Sequence, residues 1–93
     1  MPPITGRLDP WEVAVRLLAA RALTTQEVRE RLARRGYAKD QISVVIARLT
    51  TSRYLDDVEY ARSWARSRAH RRSVGPGRLA QELRAKGIAE EHI

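Results

Sequence analysis

The sequence predicts an all-α fold built from tandem three-helix repeats. Apolar residues recur three and four positions apart along most of the 93-residue chain, which is the spacing of amphipathic helices. Capping residues and glycines divide this pattern into segments of helical length. In addition, "LARRGYAKDQI" at 32–42 nearly recurs as "LRAKGIAEEHI" at 83–93. An internal repeat of this kind indicates neighbouring units that share one architecture.

The first predicted helix follows a proline-rich start. Residues 1–8 show no helical periodicity and are expected to form a flexible N-terminal arm. Asp9 can cap the helix, Pro10 suits its first position, and Glu12 lies at capping-box spacing. One face carries apolar residues at helical spacing, namely Trp11, Ala14, Leu17 and Leu18. We expect this helix to end near Ala22.

The second helix has boundaries of the same kind. Thr24 and Glu27 have the spacing of a capping box, and Gly36 can adopt the left-handed conformation that closes a helix. Val28 and Leu32 are its predicted inward residues because they lie one turn apart.

The third helix is predicted from near Asp40 to about Thr51, although its β-branched residues also suit a strand. Helical spacing and short connections favour the helix. Its apolar stripe comprises Ile42, Val45, Ile46 and Leu49. The first three-helix unit is therefore expected to span 9–53.

A second unit, over 54–93, repeats this order of elements. Its first helix is predicted from Asp56 or Asp57 to roughly Arg72. One face of that helix is formed by Tyr60, Ala61, Trp64, Ala65 and Arg68.

The fifth helix is predicted after the break "SVGPG", from Pro76 to Gly87, with Leu79 and Leu83 facing inward. A sixth helix would open near Glu90, close to the end of the chain. The second unit is therefore expected to lack its third helix.

Alignment of the two units places two arginines at the same position. With Val28 matched to Leu79, the preceding helices place Arg21 opposite Arg68, each on the apolar face of the first helix of its unit. Recurrence at one position favours a structural role, with the stem packed and the guanidinium paired to a carboxylate or a helix end.

The charge of the chain favours a polyanionic partner. The formal net charge is +7 and the pI is about 11.0. Residues 62–86 contain eight Lys or Arg and one acid, Glu82. The alternative interpretation is a solvated basic face that keeps the protein in solution.

The composition argues against an enzyme. The chain has no cysteine, its two histidines lack partners at metal-ligand spacing, and no phosphate loop or serine–histidine arrangement is present. We therefore predict no catalytic residue, no cofactor and no metal site. No apolar run approaches the roughly 20 residues of a membrane span, so we expect a cytoplasmic protein without membrane association.

Three segments resemble the RecX family of regulators of the RecA recombinase. They are "VAVRLLAARALTTQEVRERLARRGY" at 13–37, "VIARLTTSRYLDDVEYARSWARSR" at 45–68 and "GPGRLAQELRAKGI" at 75–88. The second is the most specific, because "YLDD", "YA" and "SR" occur in a fixed order before a glycine and a basic helix. The resemblance covers about 10–93.

The resemblance implies an elongated molecule of tandem three-helix units and a non-catalytic role. Proteins of this family bind the RecA filament on single-stranded DNA in its helical groove and inhibit its activities, which regulates recombination and DNA repair. Contact with single-stranded DNA would be direct or through RecA. Family members usually have three units, so a chain with an incomplete second unit departs from the pattern.

The basic residues are the candidate contacts with the filament, because an arginine fork can bind carboxylate or phosphate at two points. The main group comprises Arg62, Arg66, Arg71, Arg72 and Arg78. A second group around the two glycine-closed helix ends comprises Arg34, Arg35 and Lys86.

Two other functions remain open from the residues alone. Three short helices with a basic segment also suit a stand-alone DNA-binding protein of helix-turn-helix type. The chain could equally be an inactive fragment of a longer protein. If the incomplete unit leaves Ile88 and Ile93 uncovered, we also expect self-association through that end.

Overall fold

The computed structural model describes residues 8–71 and 75–93, with the backbone alone described at 69–71. Over these ranges the chain forms five α-helices and one 3₁₀ turn and contains no strand, which confirms the all-α prediction. The elements are α1 (Pro10–Ala20), α2 (Thr25–Arg34), α3 (Lys39–Thr51), α4 (Asp57–Arg71), α5 (Pro76–Ala85) and the 3₁₀ turn (Glu90–His92). None of the helices described combines the length and apolarity that crossing a bilayer requires.

The predicted capping residues begin three of the helices. Asp9 accepts a hydrogen bond from the Trp11 N–H at 2.8 Å at the start of α1. The Thr24–Glu27 capping box at the start of α2 is complete. Asp56 accepts from the Glu59 N–H at 3.0 Å at the start of α4. Local hydrogen bonding therefore accounts for these helix starts.

Gly36 and Gly87 close α2 and α5 in the same way. Their φ angles are 89° and 84°, in the left-handed region that glycine adopts without strain. The next N–H in each case reaches back to a leucine carbonyl: Tyr37 to Leu32 at 3.3 Å, and Ile88 to Leu83 at 3.1 Å. The two similar sequence segments thus form the same structural joint.

The main hydrophobic core lies in the first unit, where α1, α2 and α3 pack together. Ala14, Val28, Leu32 and Leu49 are fully buried there. All four predicted inward residues of α3 belong to this core, and Leu55 packs into it from beyond the end of α3. Helical periodicity therefore identified the inward face of α3 correctly.

A second, smaller cluster joins α4 and α5. Its buried members are Ala61, Leu83 and Ile88, with Tyr60 and Trp64 packed against them. Because Ile88 is buried, the condition stated for self-association, that Ile88 and Ile93 are uncovered, is not met at Ile88. Its place after Gly87 turns it back onto α5, as the hydrogen bond to Leu83 requires.

One side of the α4–α5 pair is open. Here the chain forms only the three-residue turn at Glu90–His92, whereas α3 covers the corresponding side of the first unit. The resulting α4–α5 groove has a volume of about 440 Å³. It is lined by Val58, Ala61, Arg62, Ala65, Pro76, Leu79, Ala80, Leu83, Glu91, His92 and Ile93.

Polar contacts at the start of α2 hold the two units together. The Thr24 hydroxyl donates to the Lys86 carbonyl oxygen at 2.6 Å, and the Thr25 N–H donates to Asp57 Oδ1 at 2.9 Å. The described residues form an elongated body of 54 × 23 × 23 Å. The elongated arrangement expected from the family resemblance is therefore present.

The two aligned arginines differ in structure. Arg68 packs over the Trp64 ring at 4.7 Å and pairs with Glu82 at 3.3 Å, as predicted for a structural role. Arg21 instead is exposed and makes no ion pair within the described ranges. The reason is that α1 ends at Ala20, so Arg21 has an extended backbone and leaves the helical face that the periodicity assigned to it.

Candidate functional site

Arg62 and Arg66 project from α4 into solvent, as their helical positions predict. Arg62 lines the α4–α5 groove and has no ion-pair partner among the described residues. The Arg66 side chain is 62% exposed and contacts Glu59 at 3.1 Å. An exposed pair of this kind is weak, so Arg66 could exchange Glu59 for an external anion at little cost.

Arg78 lies in a small charged network. Its side chain is 75% exposed and approaches Glu82 at 3.8 Å, and Glu82 also pairs with Arg68. The Trp64 indole N–H donates to the same carboxylate at 2.9 Å. Arg78 therefore lies on the side of α4 that carries Trp64, whereas Arg62 lines the α4–α5 groove.

The electrostatics of Glu82 follow from this network. The hydrogen bond from Trp64 lowers the pKa of Glu82 below its usual value; burial opposes the shift, and Arg68 and Arg78 reinforce it. The carboxylate is therefore ionised at neutral pH. One acid consequently neutralises part of the basic charge on α4 and α5.

Two of the candidate arginines cannot be placed. The Arg71 side chain and all of Arg72 lie outside the described residues. Their assignment to the basic surface stays a sequence-based prediction.

The second predicted group is not brought together. Arg34 and Arg35 are exposed at the end of α2, whereas Lys86 packs against the start of that helix, about 14 Å away along its axis. The Arg35 guanidinium donates to the Arg31 carbonyl at 3.3 Å. The ends of α2 and α5 match in sequence but lie apart in the molecule, so their basic residues do not form one surface.

Lys86 itself is half-buried and already bound within the protein. Its ammonium lies 3.4 Å from Glu27 and 4.5 Å from the Trp64 ring centroid, and its side chain is 19% exposed. The repeat pattern matched Lys86 to exposed Arg35 but did not reveal that Glu27 lies opposite it, and the assignment of Lys86 to the binding group stays a prediction. Lys86 joins the two units.

Sequence reasoning missed a groove between the units. It lies between α1 and α4, has a volume of about 1080 Å³ and includes Arg21 and Arg53 among its lining residues. Small residues on both helices leave this space open, for example Ala19 and Ser63. Paired small residues at helical spacing could have indicated it, but only once the packing of the two units was known.

A metal site in this protein would need a cluster of His, Asp or Glu side chains. No group of three His, Asp or Glu side chains in the described parts of the chain is arranged to hold a metal ion.

Comparison with known proteins identifies both units. The family model described as "RecX, first three-helix domain" matches residues 11–49, and "RecX, second three-helix domain" matches residues 56–93. The chain is 42% identical to the regulatory protein RecX of Mycobacteroides abscessus over 91 residues, covering 97% of this chain and 45% of that protein. It is 40% identical to regulatory protein RecX of Halorhodospira halophila over 79 residues, covering 85% and 48%.

Solved structures agree with these matches. The crystal structure of RecX from Lactobacillus salivarius is similar with a TM-score of 0.87 and 26% identity, covering 89% of this chain and 54% of that one. The chain spans about half the length of the curated relatives that it matches. Matching models for both units, identity near 40% and the shared fold show that the chain belongs to the RecX family.

Proposed function

We propose that this chain regulates the RecA recombinase by binding the RecA filament on single-stranded DNA and inhibiting it without catalysing a reaction. Membership of the RecX family is the observation that carries this proposal. Its place of action would be the cytoplasm. Because the chain spans about half the length of its curated relatives, the assay must use this chain itself.

The basic surface supplies a physical basis for binding. The net charge of +7 favours approach to a filament of acidic protein surface and DNA phosphate. Arg62 is free of an internal ion pair within the described ranges, and Arg66 has only an exposed one. Arg34, Arg35 and Arg78 add exposed guanidinium groups, and Arg71 and Arg72 are included on sequence grounds. Planar guanidinium groups suit both carboxylate and phosphate.

The stand-alone DNA-binding alternative has less support. In a helix-turn-helix protein α3 would be expected to supply base contacts. Its exposed residues include Gln41, Ser43 and Val44, and its basic residues are two: Lys39 at its first position and Arg48, which lies 4.0 Å over the Trp11 ring. This helix therefore offers few groups for a DNA groove.

The experiment measures RecA ATPase activity on single-stranded DNA with increasing amounts of this chain. Direct binding to the same DNA is measured in parallel over a range of salt concentrations. Inhibition at protein concentrations that leave bare DNA unbound would support the proposal. Salt-sensitive DNA binding with unchanged RecA activity would overturn it.

A further inference from the structure

The groove between α1 and α4 has the lining of a peptide-binding surface. Its walls combine aliphatic residues of α1 and of the segment after it with aromatic and small residues of α4, including Val15, Leu18, Ala22, Tyr60, Trp64 and Ser67. Tyr60 and Trp64 stack with centroids 6.1 Å apart and planes within 12° of parallel, so the two rings lie next to each other along this wall. Apolar grooves of this kind accept amphipathic helices.

The groove is lined by two arginines and two acids, and its charged side chains without a partner among the described residues are the arginines. Arg21 and Arg53 line it, and neither has an ion pair or side-chain hydrogen bond within the ranges described. The acids in the lining are engaged: Asp56 accepts the Glu59 N–H at 3.0 Å, and Glu59 pairs with Arg66 at 3.1 Å. An occupant would therefore meet two free guanidinium groups beside an apolar wall.

The backbone of Arg53 is a second observation that points to this groove. Its φ is 63°, in the left-handed region, and it closes α3 much as Gly36 and Gly87 close α2 and α5. The following residue, Tyr54, donates its N–H to the Leu49 carbonyl at 2.9 Å. Glycine would adopt this conformation without strain. Arginine at this position strains the backbone, but it places a guanidinium at the groove.

We propose that this groove docks an acidic amphipathic helix of a partner protein. The apolar face of that helix would pack on Leu18 and Trp64, and its carboxylates would pair with Arg21 and Arg53. A second copy of this chain is a poorer occupant because it carries 18 Lys or Arg against 11 Asp or Glu, and so offers fewer carboxylates than cations to Arg21 and Arg53. A nucleic acid is also a poorer occupant, because the aliphatic wall that includes Val15 and Leu18 offers its sugars and phosphates no polar partner.

This docking site lies on the other side of α4 from Arg62, although Arg66 pairs with Glu59 at its edge. Along α4, residues 60, 63, 64 and 67 line the groove between the units, whereas residues 58, 61, 62 and 65 line the α4–α5 groove. At 100° per residue these two sets lie on opposite sides of the helix. Arg62 therefore points away from the proposed helix, and the two activities can be tested separately.

The probe is a designed 14-residue peptide with leucines at positions i, i+3, i+4 and i+7 and glutamates on both flanks. Binding is followed by two-dimensional NMR of the ¹⁵N-labelled protein, whose two indole N–H signals come from Trp11 and Trp64. We expect the Trp64 signal to shift and the Trp11 signal to stay, because only Trp64 lines the groove. Peptides with lysine in place of glutamate, or serine in place of leucine, should bind at least tenfold more weakly.

Two variants test the cations. Arg53→Gly removes the guanidinium and relieves the left-handed strain, so the fold should be as stable as before or more so, while peptide binding weakens about two- to fivefold. Arg21→Gln should weaken binding by a similar factor. Arg29→Gln is the matched control, because Arg29 is exposed on α2 and does not line the groove.

Three results would overturn the proposal. They are equal binding by the wild-type protein and both groove variants, equal binding of the glutamate and lysine peptides, and a shift confined to Trp11. A single-stranded oligonucleotide that shifts Trp64 more strongly than the peptide would also overturn it, in favour of nucleic acid. None of these outcomes depends on RecA, so this test can fail while the proposed function stands.

Discussion

The Thr24 hydroxyl donates a 2.6 Å hydrogen bond to the Lys86 carbonyl oxygen, which joins the first unit to the second across 62 residues. The same hydroxyl accepts the Glu27 N–H at 3.2 Å. In return, Glu27 Oε1 accepts the Thr24 N–H at 3.0 Å, and its Oε2 lies 3.4 Å from the Lys86 ammonium. A helix-capping box therefore also fastens the two units, and it does so from a threonine that is fully buried.

Replacement of Thr24 by valine should destabilise the protein more than loss of a helix cap alone. The valine removes the cap, worth about 1 kcal/mol, and leaves the Lys86 carbonyl without its buried donor, at a further cost of about 1–3 kcal/mol. We expect the free energy of unfolding to fall by about 2–4 kcal/mol, as measured by urea denaturation. Thr24→Ser keeps the hydroxyl and should cost about 1 kcal/mol or less. Equal losses in the two variants would contradict this role of the hydroxyl.

Replacement of Gly87 by alanine tests the contact between α5 and α2. A Cβ at Gly87 would lie 2.4 Å from the Gln26 Cβ, and its φ of 84° disfavours any side chain. Strain and overlap together should reduce the free energy of unfolding by at least about 1–3 kcal/mol in thermal or urea melts. The control is Gly77→Ala, inside α5 with nothing within 4 Å, which should be neutral or stabilise by up to about 1 kcal/mol. Similar melting temperatures for the two variants would refute this description of the interface.

Local sequence signals predicted the helices but not their contacts across units. Thr24 and Glu27 were recognised as a capping box because both partners lie within one turn of chain, and Gly36 and Gly87 because a closing glycine acts through its own backbone. The pairing with Lys86 depends on a fold that brings positions 62 residues apart together. No local pattern carries that information.

The candidate site shows the same division. Exposure of Arg62 and Arg66 followed from helical periodicity, because α4 continues regularly through both. Periodicity was wrong for Arg21, since α1 ends one residue earlier. Arg53 was overlooked because an arginine in the left-handed region has no sequence signature comparable to that of glycine. The sequence therefore predicts the exposure of side chains inside regular helices better than the exposure and backbone conformation of residues at helix ends.

Lowering the pH should destabilise the second unit through Glu82. The hydrogen bond from Trp64, with smaller contributions from Arg68 and Arg78, holds the pKa of this carboxyl below its usual value in the folded protein. A carboxyl whose pKa is lower in the folded than in the unfolded protein stabilises the fold at pH values above its unfolded pKa. This stabilisation is lost as the pH falls through the folded pKa. We expect melting temperature to fall as the pH is lowered below about 4.5, the usual glutamate value.

Glu82→Gln isolates this effect, because the amide oxygen can still accept the Trp64 N–H but cannot ionise. The variant should be less stable than wild type at neutral pH and should show a shallower decline in acid. Glu12→Gln serves as the control, since Glu12 has only an exposed pair with Arg16 at 3.6 Å. Parallel pH profiles for wild type and Glu82→Gln would exclude Glu82 as a source of the acid sensitivity.

Self-association through the α4–α5 groove remains a prediction, with Val58 in place of Ile88 as an exposed apolar residue beside Ile93. Ile88 is buried, but Ile93 and Val58 are 39% and 37% exposed and line this groove. Val58→Gln should weaken any dimer about fivefold, because it removes roughly 1 kcal/mol of apolar burial. Val44→Gln is the matched control, being an exposed helical valine on α3. Light scattering over a range of concentrations measures both, and a strictly monomeric wild type at millimolar concentration would contradict self-association.

Charge reversal at Arg62 and Arg66 should weaken inhibition of RecA without unfolding the protein. Both side chains are exposed, and among the residues that the structure describes the one ion pair that would be lost is the surface pair between Arg66 and Glu59, worth at most about 1 kcal/mol. Since the double variant Arg62→Glu, Arg66→Glu changes the net charge by four, we expect at least a tenfold rise in the concentration that half-inhibits RecA ATPase. The double variant Arg16→Glu, Arg29→Glu, with the same charge change on α1 and α2, should shift that concentration much less, because it leaves α4 intact. Equal effects of the two double variants would mean that net charge, and not the α4 surface, determines inhibition. Loss of the helical circular dichroism signal in the α4 variant would mean that Arg62 and Arg66 stabilise the fold.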